Sequence, residues 1–253
     1  MIDNRTKATL LGGGTVYGVF CRTPEPTIAE ITAMCGWDFV IGDCEHGPAS
    51  PREFEGFARA VESRGVSPHV RVPDNDKASI LRYMDSGAYG VHVPWVNTAD
   101  EAERAVRAVK YHPRGERGLA GTRASDHGLG EPLGDYIARA NRETLVVVQA
   151  ETATAVAAID EICAVDDVDV VFLGPTDLSH SLGLAGQLDH PDVVAAMDEV
   201  AAACARSATA LGIFCGTAAM ATQWLDKGAR YIVTGAEGLM AKAMHAFLDE
   251  VKR

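Results

Sequence analysis

The chain has 253 residues, 47% of them hydrophobic, and a formal net charge of −12. That length and apolar content suit one large α/β barrel or two small domains, and the acidic balance excludes the basic surface that a nucleic-acid backbone selects. No stretch approaches the roughly 18 uninterrupted apolar residues of a membrane span.

The opening Met1-Ile2-Asp3-Asn4-Arg5 lacks the basic and then apolar build of a secretory signal. Cys21, Cys35, Cys44, Cys163, Cys204 and Cys215 are scattered without a C-x-x-C pair, so they read as reduced thiols of a cytoplasmic protein. With no low-complexity tract or Pro/Ser-rich linker, residues 1–253 are read as one domain.

From the N-terminus, Val16–Phe20 reads as a strand and Thr27–Cys35 as a helix with apolar residues at helical spacing. Phe39–Asp43 precedes a helix over Pro51–Arg64, His69–Val72 one over Asp76–Asp85, and Gly90–Pro94 one over Ala99–Val109. In the second half, Leu145–Ala150 leads into Ala153–Ile162 and Val168–Gly174 into Pro191–Arg206. Leu211–Cys215 then leads into Ala218–Lys227, and Tyr231–Thr234 into Gly238–Val251. Eight strand–helix alternations are the pattern of a (β/α)8 TIM barrel. The strands are near-continuous in Val and Ile, as expected for parallel strands covered on both faces. A doubly wound sheet would put a Gly-rich nucleotide loop after the first strand, where Phe20-Cys21-Arg22-Thr23-Pro24 stands instead.

Chemistry in such barrels collects at the C-terminal strand ends. Asp43-Cys44-Glu45-His46 ends the second strand. Unpaired charges are costly to bury, so the cluster calls for partners, water or a metal; the plainer alternative is carboxylates capping the next helix. Arg71 ends the third strand, Gln149 and Glu151 the fifth, and Gly174-Pro175-Thr176-Asp177 the sixth. Glu151 and Asp177 follow adjacent strands and suit a hard cation such as Mg²⁺ or Mn²⁺, with positions left for substrate oxygens. The plainer alternatives are a helix N-terminal carboxylate for Asp177 and, for Glu151, a neighbour of the Thr152 cap or an ion pair with an arginine. The amides of Thr176, Asp177 and Leu178 open a helix and form a natural carboxylate site. Arg71 either stabilises an oxyanion or bridges to Asp43 or Glu45.

Of the eight histidines, His46 alone directly follows an acidic strand end. An imidazole, with a reference pKa of about 6.5, exchanges protons near neutrality. His92, within a strand and facing the barrel interior, is a minor candidate. The six lysines (Lys7, Lys77, Lys110, Lys227, Lys242, Lys252) all miss the strand ends, which leaves no Schiff-base lysine. Any carbanion chemistry therefore calls for a metal as electron sink. The long Gly118–Glu131 segment reads as a lid or aldehyde-binding loop, with Arg123 meeting an acidic tail, or as a plain surface loop.

Across nearly the whole chain these motifs resemble the HpcH/HpaI family of metal-dependent (class II) pyruvate aldolases. That family includes 4-hydroxy-2-oxoheptanedioate and 2-dehydro-3-deoxyglucarate aldolases. The resemblance rests on Trp37-Asp38-Phe39-Val40-Ile41 leading to Glu45-His46-Gly47-Pro48, and on Val70-Arg71-Val72-Pro73. Pro113-Arg114-Gly115-Glu116-Arg117-Gly118, Gln149-Ala150-Glu151-Thr152 and Gly174-Pro175-Thr176-Asp177-Leu178-Ser179 continue it. It implies reversible cleavage of a 4-hydroxy-2-oxo acid to pyruvate and an aldehyde. A divalent cation (Mg²⁺, Mn²⁺ or Co²⁺) would sit on Glu151 and Asp177, Arg71 would stabilise the enolate oxygen, and Gly174, Thr176, Asp177 and Gln149 would bind substrate. It further implies His46 as acid/base paired with Asp85 of an adjacent subunit, and Asp43 and Glu45 as supports for metal-bound water. The last helix would pack on a neighbour in a trimer-based hexamer. Oxaloacetate decarboxylation, acyl-CoA cleavage and a non-catalytic keto-acid-binding barrel stand as alternatives.

Overall fold

Eight parallel strands close on themselves in sequence order, β1 pairing with β2 and, at the seam, with β8. The computed structural model describes residues 3–252. In chain order the first half holds α1 (Arg5–Leu11), β1 (Val16–Cys21), α2 (Pro26–Met34), β2 (Phe39–Asp43), α3 (Pro51–Glu62), β3 (Ser67–Arg71), α4 (Lys77–Asp85), β4 (Gly90–Val93) and α5 (Ala99–Val109). A short 3-10 segment (Arg123–Gly128) precedes α6 (Leu133–Glu143), β5 (Leu145–Ala150), α7 (Ala153–Ala157), α8 (Ile159–Cys163), β6 (Val170–Leu173) and α9 (Pro175–Ser181). The chain continues through α10 (Pro191–Arg206), β7 (Ala210–Phe214), α11 (Ala218–Asp226), β8 (Tyr231–Gly235) and α12 (Ala236–Val251). All eight expected strands are present, each within two residues of its expected ends.

The helices start directly behind the strands because the connecting loops end in capping residues. Ser50 and Glu53 form a capping box on α3, and Asp76, Thr98, Thr152 and Thr217 accept from first-turn amides of α4, α5, α7 and α11. Two helices, α1 and α6, lie outside the expected set, and α9 is the helix expected to open at Thr176–Leu178. The helix expected over Ala153–Ile162 breaks at Ala158, whose φ of −106° and ψ of 15° leave the helical region.

Two apolar layers hold the barrel. Valines on the outward strand faces pack against α2–α5, α8 and α10, while Phe20, Phe39, Ile41, Val147, Phe172, Tyr231 and Val233 fill the interior. Gly18 is required there: a Cβ would come within 2.0 Å of the Phe39 ring. His69 and His92 lie in the same interior, so His92 does face inward, as core. His69 Nδ1 and His92 Nε2 approach the Tyr231 hydroxyl at 3.0 and 2.7 Å.

Burial pushes His69 down to about 3 and His92 well below the ordinary value of 6.5. The native state thus binds fewer protons than the unfolded chain below pH 6.5. The stability these groups contribute is complete above pH 6.5 and is lost as pH falls, by about 1.4 kcal/mol per pH unit for each. We expect the urea midpoint to drop steadily below that pH while the two imidazole C2 proton resonances of the folded protein stay fixed to pH 5. Resonances that titrate near pH 6 in the folded state contradict this.

The Gly118–Glu131 segment is not a lid over its own barrel. It follows α5 and therefore sits at the N-terminal strand end, away from the βα loops. Arg123 is ion-paired with Glu62 of α3 and donates to the Ser86 carbonyl after α4 at 3.3 Å. None of the segment lines the cleft described below.

Candidate active site

A cleft of about 440 Å³ opens at the C-terminal end of the barrel. Asp43, His46, Arg71, Gln149, Glu151, Gly174, Thr176 and Asp177 all line it, so the expected rim residues from β2, β3, β5 and β6 do converge. Asp85 does not. It lies at the end of α4, where Arg117 Nη2 donates to its Oδ1 at 2.7 Å.

β2 and β3 pair with Asp43 opposite Arg71. That register lets Arg71 form a two-pronged bridge, Nε to Oδ1 at 2.9 Å and Nη2 to Oδ2 at 2.6 Å. Asp43 Oδ1 also accepts from the amides of Glu45 and His46 at 3.3 and 3.2 Å, which sets the loop carrying the imidazole. Arg71 Nη1 is 3.2 Å from Glu45 Oε2, and the guanidinium carbon stands 4.5 Å from the centre of the Phe20 ring. Both roles weighed for Arg71 are thus compatible: the bridge to Asp43 and Glu45 fixes the guanidinium at the cleft. Burial opposes its charge, but the Asp43 bridge together with the Glu45 and Glu151 carboxylates raises the guanidinium above the ordinary arginine value.

His46 is half exposed, with Nε2 3.8 Å from Glu45 Oε2. Burial raises the Glu45 carboxyl above its ordinary value, opposed by the charges of Arg71 and His46. The Glu45 Oε1 accepts from the Trp95 indole at 3.1 Å. Trp95 also donates its backbone N–H to Glu151 Oε1 at 2.8 Å. Its φ of +56° is an unfavourable value for a large side chain, held by these two bonds that tie both acidic residues to the end of β4. Trp95 and Phe20 are the contributors that sequence reasoning did not assign.

Glu151 is 2% exposed. Burial pushes its carboxyl up to about 8 against the lowering effect of the Trp95 amide, and the charges of Glu45 and Asp177 add to the rise. A Cβ at Gly174 would lie 3.0 Å from Glu151 Oε2 and 3.7 Å from Asp177 Oδ2, so both oxygens border the one space that glycine leaves open. Among the described residues no three His, Cys, Asp or Glu side chains converge as ligands. Two carboxylate oxygens completed by water and substrate oxygens are nonetheless a fitting set for a hard divalent cation, which commonly takes one or two carboxylates. A cation would also offset the mutual repulsion that disfavours the charged form of Glu151. The donors present therefore fit the expected metal.

Gln149 is buried and its Oε1 has no hydrogen-bond partner among the described residues. Of the three amides expected to point outward after Pro175, that of Leu178 is engaged by the Gly174 carbonyl at 2.9 Å. The amides of Thr176 and Asp177 remain as the first-turn donors.

The sequence profile of the HpcH/HpaI aldolase/citrate lyase family matches residues 16–243. A hydroxypyruvate/pyruvate aldolase of Sagittula stellata is 44% identical over 195 residues, 77% of this chain and 76% of its own. A 4-hydroxy-2-oxovalerate aldolase of Novosphingobium aromaticivorans is 40% identical over 233 residues, 92% of this chain and 88% of its own. The crystal structure of an HpcH/HpaI aldolase/citrate lyase family protein from Burkholderia cenocepacia superimposes with a TM-score of 0.94 at 35% identity, covering 99% of this chain and 100% of that one.

Proposed function

Because the chain belongs to the HpcH/HpaI aldolase/citrate lyase family, we propose that its cleft cleaves a 4-hydroxy-2-oxo acid reversibly into pyruvate and an aldehyde. The observation that carries this reading is one cleft lined by two charge systems. The Glu151–Asp177 carboxylates flank Gly174, and the Arg71 guanidinium is fixed by Asp43.

Glu151 and Asp177 would hold a divalent cation (Mg²⁺, Mn²⁺ or Co²⁺), which when bound polarises the 2-keto group of the substrate. The amides of Thr176 and Asp177, with the Gln149 side chain, orient the substrate carboxylate. His46 accepts the C4 hydroxyl proton at Nε2 as the C3–C4 bond breaks, and Glu45 beside it stabilises the imidazolium that forms. The bond electrons pass into the pyruvate enolate. Arg71 has N–H groups beyond those engaged by Asp43, and one donates to the enolate oxygen as its charge grows. The enolate takes back on C3 the proton held by the His46 imidazolium, which returns to its neutral form, and leaves as pyruvate.

Asp85, outside its own cleft, is assigned to the His46 of an adjacent copy. The exposed apolar residues of α12 support packing on such a copy, in a trimer-based hexamer: Met244 and Phe247 are each 66% exposed and Val251 67%. Among the described residues no helix is long and apolar enough to cross a membrane, and the six free cysteines suit a reducing cytoplasm. Residues 1–253 then act as one barrel domain.

Treatment with EDTA is expected to abolish both retro-aldol turnover and deuterium exchange into the pyruvate methyl group. Adding back Mg²⁺, Mn²⁺ or Co²⁺ should restore both. Undiminished exchange in a rigorously metal-free sample would rule the mechanism out.

A further inference from the structure

We propose that Cys163 and Cys204 are a redox-active dithiol, which hydrogen peroxide closes to a disulfide tying α8 to α10. The pair lies at the opposite end of the barrel from the cleft, and its oxidation needs neither metal nor substrate.

Cys163 is the last residue of α8, and Cys204 lies in the last turn of α10. Their Sγ atoms are 3.9 Å apart, the one contact between thiols among the described residues. A disulfide needs about 2.05 Å between the sulfurs. Because α8 ends at Cys163, that sulfur can turn toward α10 without displacing a helix interior. Both residues are buried, but they are placed differently. A cavity of about 910 Å³ opens at the N-terminal strand ends, beside Leu145, Asp169 and Ala210, and Cys163 lines it while Cys204 does not. A small neutral peroxide therefore reaches Cys163 first. Cys163 is also the more easily ionised of the two. Its hydrogen bond with Cys204 lowers its thiol below the ordinary value, with help from Ser207 and against burial, and the same contact together with burial raises Cys204.

The Cys163 thiolate attacks one peroxide oxygen and the O–O bond breaks. Hydroxide leaves, takes up the proton that Cys163 lost and becomes water, with Cys163 left as a sulfenic acid. Cys204 then attacks that sulfur, the S–O bond breaks, and the hydroxyl departs with the Cys204 proton as a second water. The two thiols lose two electrons and the peroxide gains them. The resulting bridge encloses residues 164–203, which hold β6 and α9 and with them Gly174, Thr176 and Asp177. Closing that loop restricts the unfolded chain and stabilises the oxidised protein.

The test is treatment of the folded, fully reduced protein with hydrogen peroxide, followed by blocking of free thiols and peptide mapping by mass spectrometry. The Cys163 and Cys204 peptides should appear joined, two hydrogens lighter than their sum, and separate again with dithiothreitol. The unfolding temperature of the oxidised protein should exceed that of the reduced protein by about 5 °C or more. Peroxide should produce no such rise in Cys204→Ser, where dimedone should instead label Cys163 as the trapped sulfenic acid. In Cys163→Ser, Cys204 should stay unlabelled. Separate peptides in the treated wild type, or joining only after unfolding in urea, overturn the dithiol, and this readout stands even if a serine variant fails to fold. Dimedone labelling of Cys204 in Cys163→Ser, with none of Cys163 in Cys204→Ser, overturns the assignment of Cys163 as the attacking thiol.

Discussion

Glu151→Gln should lower retro-aldol kcat/KM by about 10³-fold and remove measurable Mn²⁺ binding, while the metal-free protein stays folded. The amide oxygen replaces Oε1 as acceptor for the Trp95 N–H, which is 2.8 Å away, so the β4–β5 contact survives. Burial already disfavours the charged carboxyl, so a neutral group of the same shape costs no stability. What disappears is the negative charge facing Asp177 around Gly174. Losing a single preorganised electrostatic group typically costs about 10²–10³ in rate, and losing a metal ligand costs at least as much. Calorimetric Mn²⁺ titration and the unfolding temperature are the two readouts. Retained metal affinity in a folded variant would remove Glu151 from the proposed ligand set.

Arg71→Lys separates charge from geometry. Lysine keeps the positive charge but cannot make the Nε and Nη2 bridge to Asp43 and reach a substrate oxygen at once. Pyruvate methyl exchange should fall by about 10²–10³-fold with Mn²⁺ affinity unchanged, because lysine keeps the positive charge that Glu151 senses and residue 71 is not one of the proposed metal ligands. Arg71→Ala should also destabilise the fold by about 3–5 kcal/mol, since Asp43, with 1% of its side chain exposed, would keep a buried charge without its partner. Its unfolding temperature separates the two effects. An Arg71→Lys protein with wild-type exchange would exclude the enolate role.

Much of this site is legible in the chain alone. Asp43, His46, Arg71, Glu151 and Asp177 each end or follow an apolar run of strand length, and in a barrel all such ends share one rim. The same rule, applied to helix ends, bears on Gly118–Glu131. A segment that follows α5 lies at the far end of the barrel, whatever its glycine and histidine content suggests. α6 likewise carries a readable signal, since Tyr136, Ile137 and Ala140 fall at helical spacing on its buried side. α1 does not: its seven residues include only a few apolar positions, and Lys7 is buried through bonds to the Thr144 carbonyl and to Asp169.

The sequence by itself determined the alternation of strands and helices, the closed parallel sheet and the set of side chains on its rim. These follow from periodicity and chain direction, which are local. Only the tertiary structure decided which side chain meets which. Asp43 bridges Arg71 because β2 and β3 pair in that register. Trp95 joins Glu45 to Glu151 because its backbone turns left-handed at the end of β4, and Phe20 lies under Arg71 across the interior. Barrel closure also brings Lys242 of α12 to the Gly216 carbonyl beyond β7. Those partnerships link residues distant along the chain, and their energies depend on register, burial and closure that no local window contains.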